Sequence, residues 1–393
     1  MKTFKQLSGV VSLATLAAMP ATAAVTLYDN NNTTVKADVF LNTFYVNSKD
    51  DVSDKSESRI KIGFLPNILG FNFATTTANG LKLGGRTSFW SSSSDSRRRN
   101  QDDGPSSVQT QNDLTDGHID TRQVYGTVEG DFGEILFGKD FGLFGRSNIF
   151  GDELLLGFGN NSLFIENSFV SYGNIGSGYL YPVPTSQITW RSKDLFGKFK
   201  VALGIHDPEK LAGNGQSEEK APRFEGELTY DFGFGNAWLG FASQKSESLV
   251  TDEDIHSKGI SYGLKLKHGG FSVTASGFSG EGLGAIVNTA QVVSGVIVDS
   301  NGDERDSSGF LGQASYSTGG ERFVVSYGHN EVDGDPGADD FYDSDVTSIA
   351  WFHNITKSGS LKLVTEYSTS EVELSGTKAA DVKSLAMGLV LTF

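Results

Sequence analysis

Apolar and polar residues alternate with a period of two along almost the whole chain. Between residues 35 and 47, Val35, Ala37, Val39, Leu41 and Tyr45 fall on one face, and Lys36, Asp38, Asn42 and Phe44 on the other. Alternation over about a dozen residues predicts a strand longer than those of ordinary soluble sheets. Ile60, Ile62 and Phe64 then alternate with Arg59 and Lys61, and Pro66 marks a bulge or strand end, because proline has no N–H to give a ladder. In the next strand Leu81, Leu83, Thr87 and Phe89 alternate with Lys82, Arg86 and Trp90. The rhythm resumes at 119–129 and 134–139, then at 186–191, 198–205, 224–232, 237–244, 259–267, 271–279, 310–318, 322–331, 346–355, 361–371 and 382–393.

These segments number 16, and short Gly-rich turns (Gly233–Gly235, Gly269–Gly270, Gly319–Gly320) alternate with long polar connections such as 207–222, 281–308 and 332–342. An even count with short turns at one end and long loops at the other predicts an all-β fold, a 16-stranded antiparallel transmembrane β-barrel. Lipid offers no partner for a free N–H or C=O, so such a sheet must close on itself. The last strand fits: Leu385, Met387, Leu389, Leu391 and Phe393 make an unbroken apolar face. The polar stretch 91–117, with Arg97, Arg98, Arg99, Asp102 and Asp103, reads as a solvated loop rather than a binding patch.

One connection breaks the pattern. Residues 138–184 are too many for a hairpin, and a connection of this size without strands is normally functional or disordered. Phe141, Leu143, Phe144, Ile149, Phe150, Leu154, Leu155, Leu156 and Phe158 are too many apolar side chains to leave in water. Residues 140–183 are therefore expected to fold into the barrel lumen, with their apolar side on the wall and Asp152 and Glu153 facing a channel; Asp140 and Glu166 are further candidates.

The start of the chain sets the compartment. Lys2 and Lys5, an apolar run from Leu7 to Met19 and small residues at Ala21, Thr22 and Ala23 match a secretory signal peptide over 1–23. The run is shorter than the ~18 residues or more of a spanning helix. Loss of 1–23 leaves 370 residues (393 less 23), the barrel domain 24–393, and moves the formal charge from −16 to −18 through loss of the two lysines. Mean hydropathy is −0.24, which alone suggests a soluble protein. Barrel strands, however, turn only every second residue to lipid. The absence of cysteine excludes a disulfide framework and Cys-based metal or nucleophile sites. Glycine at 48 residues against 8 prolines, with 28 Phe and 12 Tyr, favours strands and tight turns.

Period two also assigns the charges. Arg59, Lys61, Lys82, Arg86, Arg122, Arg191, Lys198 and Lys200 lie opposite the apolar sides of their strands. A cation at the lipid midplane costs about 2–4 kcal/mol, so these must point into a wet lumen. Asp152 and Glu153 opposite them would set up a transverse field that biases ions and orients dipolar solutes. Alternatively the two acids simply pair with wall cations and pin the loop; both roles can coexist.

At this point the residues carry a family resemblance. Residues 121–139 (Thr-Arg-Gln-Val-Tyr-Gly-Thr-Val-Glu-Gly-Asp-Phe-Gly-Glu-Ile-Leu-Phe-Gly-Lys), Ser58–Gly63, Tyr28 and the terminal Phe393 resemble the Gram-negative general diffusion porins over essentially the whole mature chain. The resemblance implies an outer-membrane homotrimer with an infolded third loop forming an eyelet, in contact with lipid and lipopolysaccharide. It also implies passage of ions and small hydrophilic solutes, and a C-terminal assembly signal, Phe393, read by the barrel-assembly machinery. By motif, Arg59, Arg122 and Arg191 match wall arginines, Lys139 replaces an arginine, and Asp152 falls where a loop acid is expected. The chain departs from the family at Leu155-Leu156-Gly157-Phe158-Gly159, where Pro-Glu-Phe-Gly-Gly is common, so Glu153 stands in as the second acid.

Rival chemistries are weak. Gly259-Ile-Ser261-Tyr-Gly263 matches a nucleophile pattern, but it lies inside an alternating strand with no helix after it, whereas an elbow needs a strand-to-helix turn. The six histidines show no metal spacing, and no cofactor, catalytic, metal or nucleic-acid site is expected. Residues 299–306 and 333–340 resemble calcium loops, but the first lacks the sixth-position Gly and has Phe310 where the chelating Glu belongs. They read as acidic surface loops, able to bridge to lipopolysaccharide through divalent cations. A substrate-selective oligosaccharide or anion channel is the serious rival. Aromatics such as Phe89, Phe137, Tyr230 and Tyr367 share faces with aliphatics rather than lining a lumen track, and the charge of the mature chain argues for a mild cation preference.

Overall fold

The computed structural model describes residues 24–30, 32–93, 119–159, 171–210, 217–248, 254–286 and 297–393. The leader expected at 1–23, the arginine run at 97–99 and Glu166 lie outside these residues.

The strands are β1 (Val25–Asn30), β2 (Thr33–Asp50), β3 (Lys55–Lys61), β4 (Asn67–Thr76), β5 (Lys82–Ser91), β6 (Ile119–Gly130), β7 (Gly133–Phe141), β8 (Pro184–Arg191) and β9 (Phe199–His206). They continue as β10 (Ser217–Glu218), β11 (Arg223–Asp231), β12 (Gly235–Ser248), β13 (Asp254–His268), β14 (Phe271–Glu281) and β15 (Asp306–Thr318). The last four are β16 (Glu321–Val332), β17 (Tyr342–Asn354), β18 (Leu361–Leu374) and β19 (Thr377–Thr392). All neighbours are antiparallel, and the sheet closes where β19 pairs with β2, Leu391 opposite Leu41.

The wall has 16 crossings. Strands β3 and β4 share one column, both pairing with β2; β1 continues the column of β19 along the start of β2; and β10 is a two-residue extension beside β12. Outside the sheet, α1 (Arg146–Gly151) sits between β7 and β8.

Alternation predicts the faces well in most strands. In β19, Leu385, Met387 and Leu389 are exposed on the outer surface while Ala386 and Val390 are buried within. An outer band of Val, Leu, Ile, Phe and Tyr encircles the barrel, including Phe89, Phe137 and Tyr367. Such a band matches the hydrocarbon layer of an outer membrane.

The second crossing departs from expectation. Ile60 points outward and is 66% exposed, but the strand ends at Lys61, and Ile62 and Phe64, expected on the same outer face, are buried. Pro66 follows, and pairing resumes at Asn67. The break turns residues 62–65 inward: the Gly63 N–H donates to Asn42 Oδ1, and the Phe64 N–H to the Gly157 carbonyl at 3.0 Å. The dent serves the interior rather than the lipid face.

Candidate functional site

The site is built around the β7–β8 connection. Gly145 takes the left-handed conformation (φ 73°) that begins α1, and Phe141, Leu143, Phe144, Ile149, Leu154, Leu155 and Phe158 are all buried. Each such side chain removed from water stabilises the packing by about 1.5–3 kcal/mol. Their partners are inward-facing aromatics of the wall. Phe158 lies 5.8 Å from Phe44, and Phe141 lies 5.8 Å from Trp90. Phe40, Trp238, Phe278 and Phe352 are likewise buried. Most wall aromatics keep to the outer face, as expected, and a smaller second set points inward and seats the connection.

Hydrogen bonds spread around the interior. Glu225 of β11 accepts the N–H groups of Leu143 and Phe144 and pairs with Arg223 at 2.8 Å. Ser261 of β13, the residue of the Gly-x-Ser-x-Gly match, accepts the Gly145 N–H at 3.2 Å; its hydroxyl is a packing anchor inside a strand. Asn148 bridges the Trp238 indole N–H and the Gly277 carbonyl. Farther round, Gly178 donates to Asn330 of β16, and Ser177 bonds Ser344 of β17. Glu366 of β18 accepts the N–H groups of both Phe158 and Gly159 at 2.9 Å.

Asp152 and Glu153 are each only 5% exposed. Asp152 accepts four hydrogen bonds: from the Tyr179 hydroxyl (2.6 Å), Gln313 Nε2 (2.6 Å), Asn174 Nδ2 (3.1 Å) and the Leu154 N–H (2.8 Å). Burial, with the Asp152 carboxylate beside it, pushes the Tyr179 phenol well above its ordinary range, so it remains a donor. Glu153 pairs with Lys265 of β13 at 2.8 Å and with Arg322 of β16, and accepts from Ser272, Thr274 and Ser315. Burial works to raise its pKa, but the two cations and these donors win and hold it down to about 2. Two acids expected to face open channel water are instead saturated anchors between the connection and the wall.

The wall cations divide. Arg59 and Lys61 point inward on β3, Arg59 onto Glu57 at 2.8 Å, and Lys61 is buried. Arg86 meets Asp38 at 2.6 Å and also bonds Asn72 and Gln123; Gln123 passes the chain to Asp140, which Arg191 reaches at 3.4 Å while bonding Glu134 at 3.1 Å. Arg122 is aimed inward by a bulge, where the register slips between Ser88 and Trp90; its guanidinium stacks over Trp90 and donates to the Tyr181 hydroxyl. Lys139 is different. It pairs across the sheet with Val124 and Ser186, both on the outer face, so it is not a lumen residue. Its motif position suggested an inward cation; register parity, which fixes faces, overrides the motif.

Four contributors went unnoticed in the sequence: Lys265, Arg322, Glu225 and Glu366. Parity was the available signal, since Lys265 lies between Leu264 and Leu266, whose face is the outer one. The acidic loops also find protein partners: Arg305 bonds Asp335 at 2.5 Å, and Asp299 accepts the N–H groups of Asn301 and Asp303. Phe393 pairs with Val39 through the backbone at the closing seam.

A closed antiparallel barrel with an apolar outer band, a charged interior, and short turns at one end with long loops at the other is the architecture of an outer-membrane channel. The chain belongs to the Gram-negative porin family, whose model matches residues 9–373; these are channels, not enzymes. None of the curated proteins matches it. Among solved structures it is similar to the anion-selective porin from Comamonas acidovorans, at 14% identity over 92% of this chain and 100% of that one, with a TM-score of 0.65. The outer membrane channel DcaP of Acinetobacter baumannii gives 16% identity over 93% and 99%, with a TM-score of 0.66. The trimer form of in-vitro folded OmpT, an outer membrane protein of Vibrio cholerae, gives 14% over 92% and 99%, with a TM-score of 0.55. At these identities the likeness is one of fold.

Proposed function

We propose that this porin is a passive diffusion channel for ions and small hydrophilic solutes with a mild cation preference, and that residues 140–183 set its constriction. The observation that carries the reading is the hydrogen bonding of one connection to inward-facing groups on strands from β11 round to β18, inside a wall lined by paired charges. A charged, water-bearing bore with a fixed internal obstruction selects by size and charge rather than by making bonds.

Cation preference is supported by the long-loop end, where residues 299–306 and 333–340 carry eight carboxylates against the single base Arg305. Such a rim raises the local cation concentration at the mouth. The rival oligosaccharide reading gains nothing from the inward aromatics, since Phe44, Trp90, Phe158 and Phe352 are buried against one another or the connection rather than open to solute.

A homotrimer is proposed from the family and from the trimer form of OmpT. Cleavage after residue 23, recognition of Phe393 by the barrel-assembly machinery, and contact of the acidic rim with lipopolysaccharide belong to the same proposal. The deciding experiment is the reversal potential of the purified channel in a KCl gradient. A potential of cation sign supports the preference; one of anion sign overturns it and leaves the diffusion channel standing.

A further inference from the structure

Two wall carboxylates hold backbone N–H groups of the β7–β8 connection, and they differ in what neutralises them. Glu225 takes those of Leu143 and Phe144 and has the Arg223 guanidinium at 2.8 Å. The connection's own Glu153 is likewise met by Lys265 and Arg322. Glu366 takes the N–H groups of Phe158 and Gly159, each at 2.9 Å, and is 2% exposed. Among the described residues it has no ion-pair partner.

The surroundings leave that charge alone. Its direct cross-strand neighbours are Ala350 of β17 and Ala386 of β19, and among the described residues the charged side chain whose field reaches it is the like-charged Asp152. The close approach depends on a glycine: a Cβ at Gly157 would collide with Glu366 Oε2. Beside the grip, the Gly157 carbonyl accepts the Phe64 N–H at 3.0 Å, and the Phe158 ring lies 5.8 Å from that of Phe44. Residues 157–159 are thus pressed to the wall between β18 and the notch at 62–65.

We infer that Glu366 is the positioning residue for the size limit of the bore: as an ionised carboxylate it holds residues 157–159 on the wall, and a single proton on it loosens them. The two bonds are divided between its oxygens, Oε2 accepting from Phe158 and Oε1 from Gly159. The hydroxyl oxygen of a neutral acid is a donor and a far weaker acceptor, so one N–H loses its partner and the other loses its charge assistance. An adjacent cation favours an ionised carboxylate. Glu366 has its two N–H groups alone for that task. A tethered segment shows the bore one fixed edge, whereas a loose one yields to a passing solute, so the limit rises. This inference rests on the reading of residues 140–183 as the constriction and names the residue that fixes its width.

The test uses the full-length protein in planar bilayers, its KCl conductance read with neutral polyethylene glycols of graded size between about pH 8 and about pH 4. The largest glycol that enters should increase on acidification. Glu366→Gln, whose amide has one acceptor end and one donor end, should show the larger limit at every pH. A second measurement needs no variant: amide exchange, corrected for the chemical effect of pH, should quicken about tenfold at Phe158 and Gly159 in acid while Leu143 and Phe144 keep their protection. A limit that ignores pH, a Glu366→Gln channel that still responds to it, or equal loss of protection at both pairs of amides would each overturn the inference. Where Phe158 and Gly159 are released and the limit stays fixed, the failure lies with the constriction reading; where they keep their protection, it lies with Glu366. A protein that passes no current in KCl at all would overturn the channel reading itself.

Discussion

The Glu153 carboxylate and the Lys265 ammonium meet at 2.8 Å, one from the β7–β8 connection and the other from β13, more than 100 residues apart in sequence. Arg322 closes the bridge from β16. Breaking one partner of a buried pair strands the other charge, which makes the bridge a point of control. Glu153→Gln is expected to cost about 2 kcal/mol, discounted from the fully buried case because Lys265 and Arg322 keep some solvent contact. The readouts are a lower midpoint for heat unfolding of the barrel and noisier open-channel current.

The same bridge has a pH signature. Glu153 falls from an ordinary 4.5 to about 2, so it binds protons less readily folded than unfolded. A depressed carboxylate contributes its full stability above the unfolded value, and the contribution is lost as pH falls through the folded one. The heat-unfolding midpoint should therefore hold down to about pH 4.5 and decline toward pH 2, with a smaller decline in Glu153→Gln.

Asp152 is held by four donors and is buried. Asp152→Asn turns one of the two acceptor oxygens into a donor, set against either Gln313 Nε2 and the Leu154 N–H or Asn174 Nδ2 and the Tyr179 hydroxyl, and each mismatch costs about 1–3 kcal/mol. The expected result is a loosened connection with only a small change in reversal potential. A large swing toward anions would mean that this carboxylate reaches the channel water after all.

Lys139 and Arg191 make a matched pair for testing faces. Arg191→Gln removes an inward cation that bonds Glu134 and Asp140, and should change both selectivity and conductance. Lys139→Gln changes an outward residue and should leave both as they were.

Gly159 has φ 75° and lies against Gly173, so a Cβ there would come within 2.2 Å of the Gly173 Cα. Gly159→Ala adds a backbone clash to a strained left-handed conformation that alone costs about 1–3 kcal/mol. It should release Phe158 from Glu366, seen as faster amide exchange at Phe158 and a larger, less stable conductance.

Strand number, faces and the unusual connection were legible because lipid and water impose a period of two that even a single sequence displays. What stayed hidden depends on contacts between distant residues. Nothing near Glu153 announces that Lys265 and Arg322 will neutralise it, and nothing near Phe44 or Phe352 tells an inward aromatic that packs from one that lines open water. Ile62 and Phe64 misled for a related reason: their spacing continues the outer stripe of Ile60, yet the backbone turns before they arrive. Arg122 came out inward, as expected, but by way of a bulge that local periodicity cannot reveal, and Lys139 came out outward because a motif match ignores parity.

The break at residues 62–65 makes the barrel an unequal host. Phe64 touches the connection through its backbone N–H and would obstruct any side chain placed at Gly173, so the second crossing is shaped to a single guest. Grafting residues 142–183 into another porin, or a foreign loop into this one, would leave the insert without a footing unless the notch travelled with it.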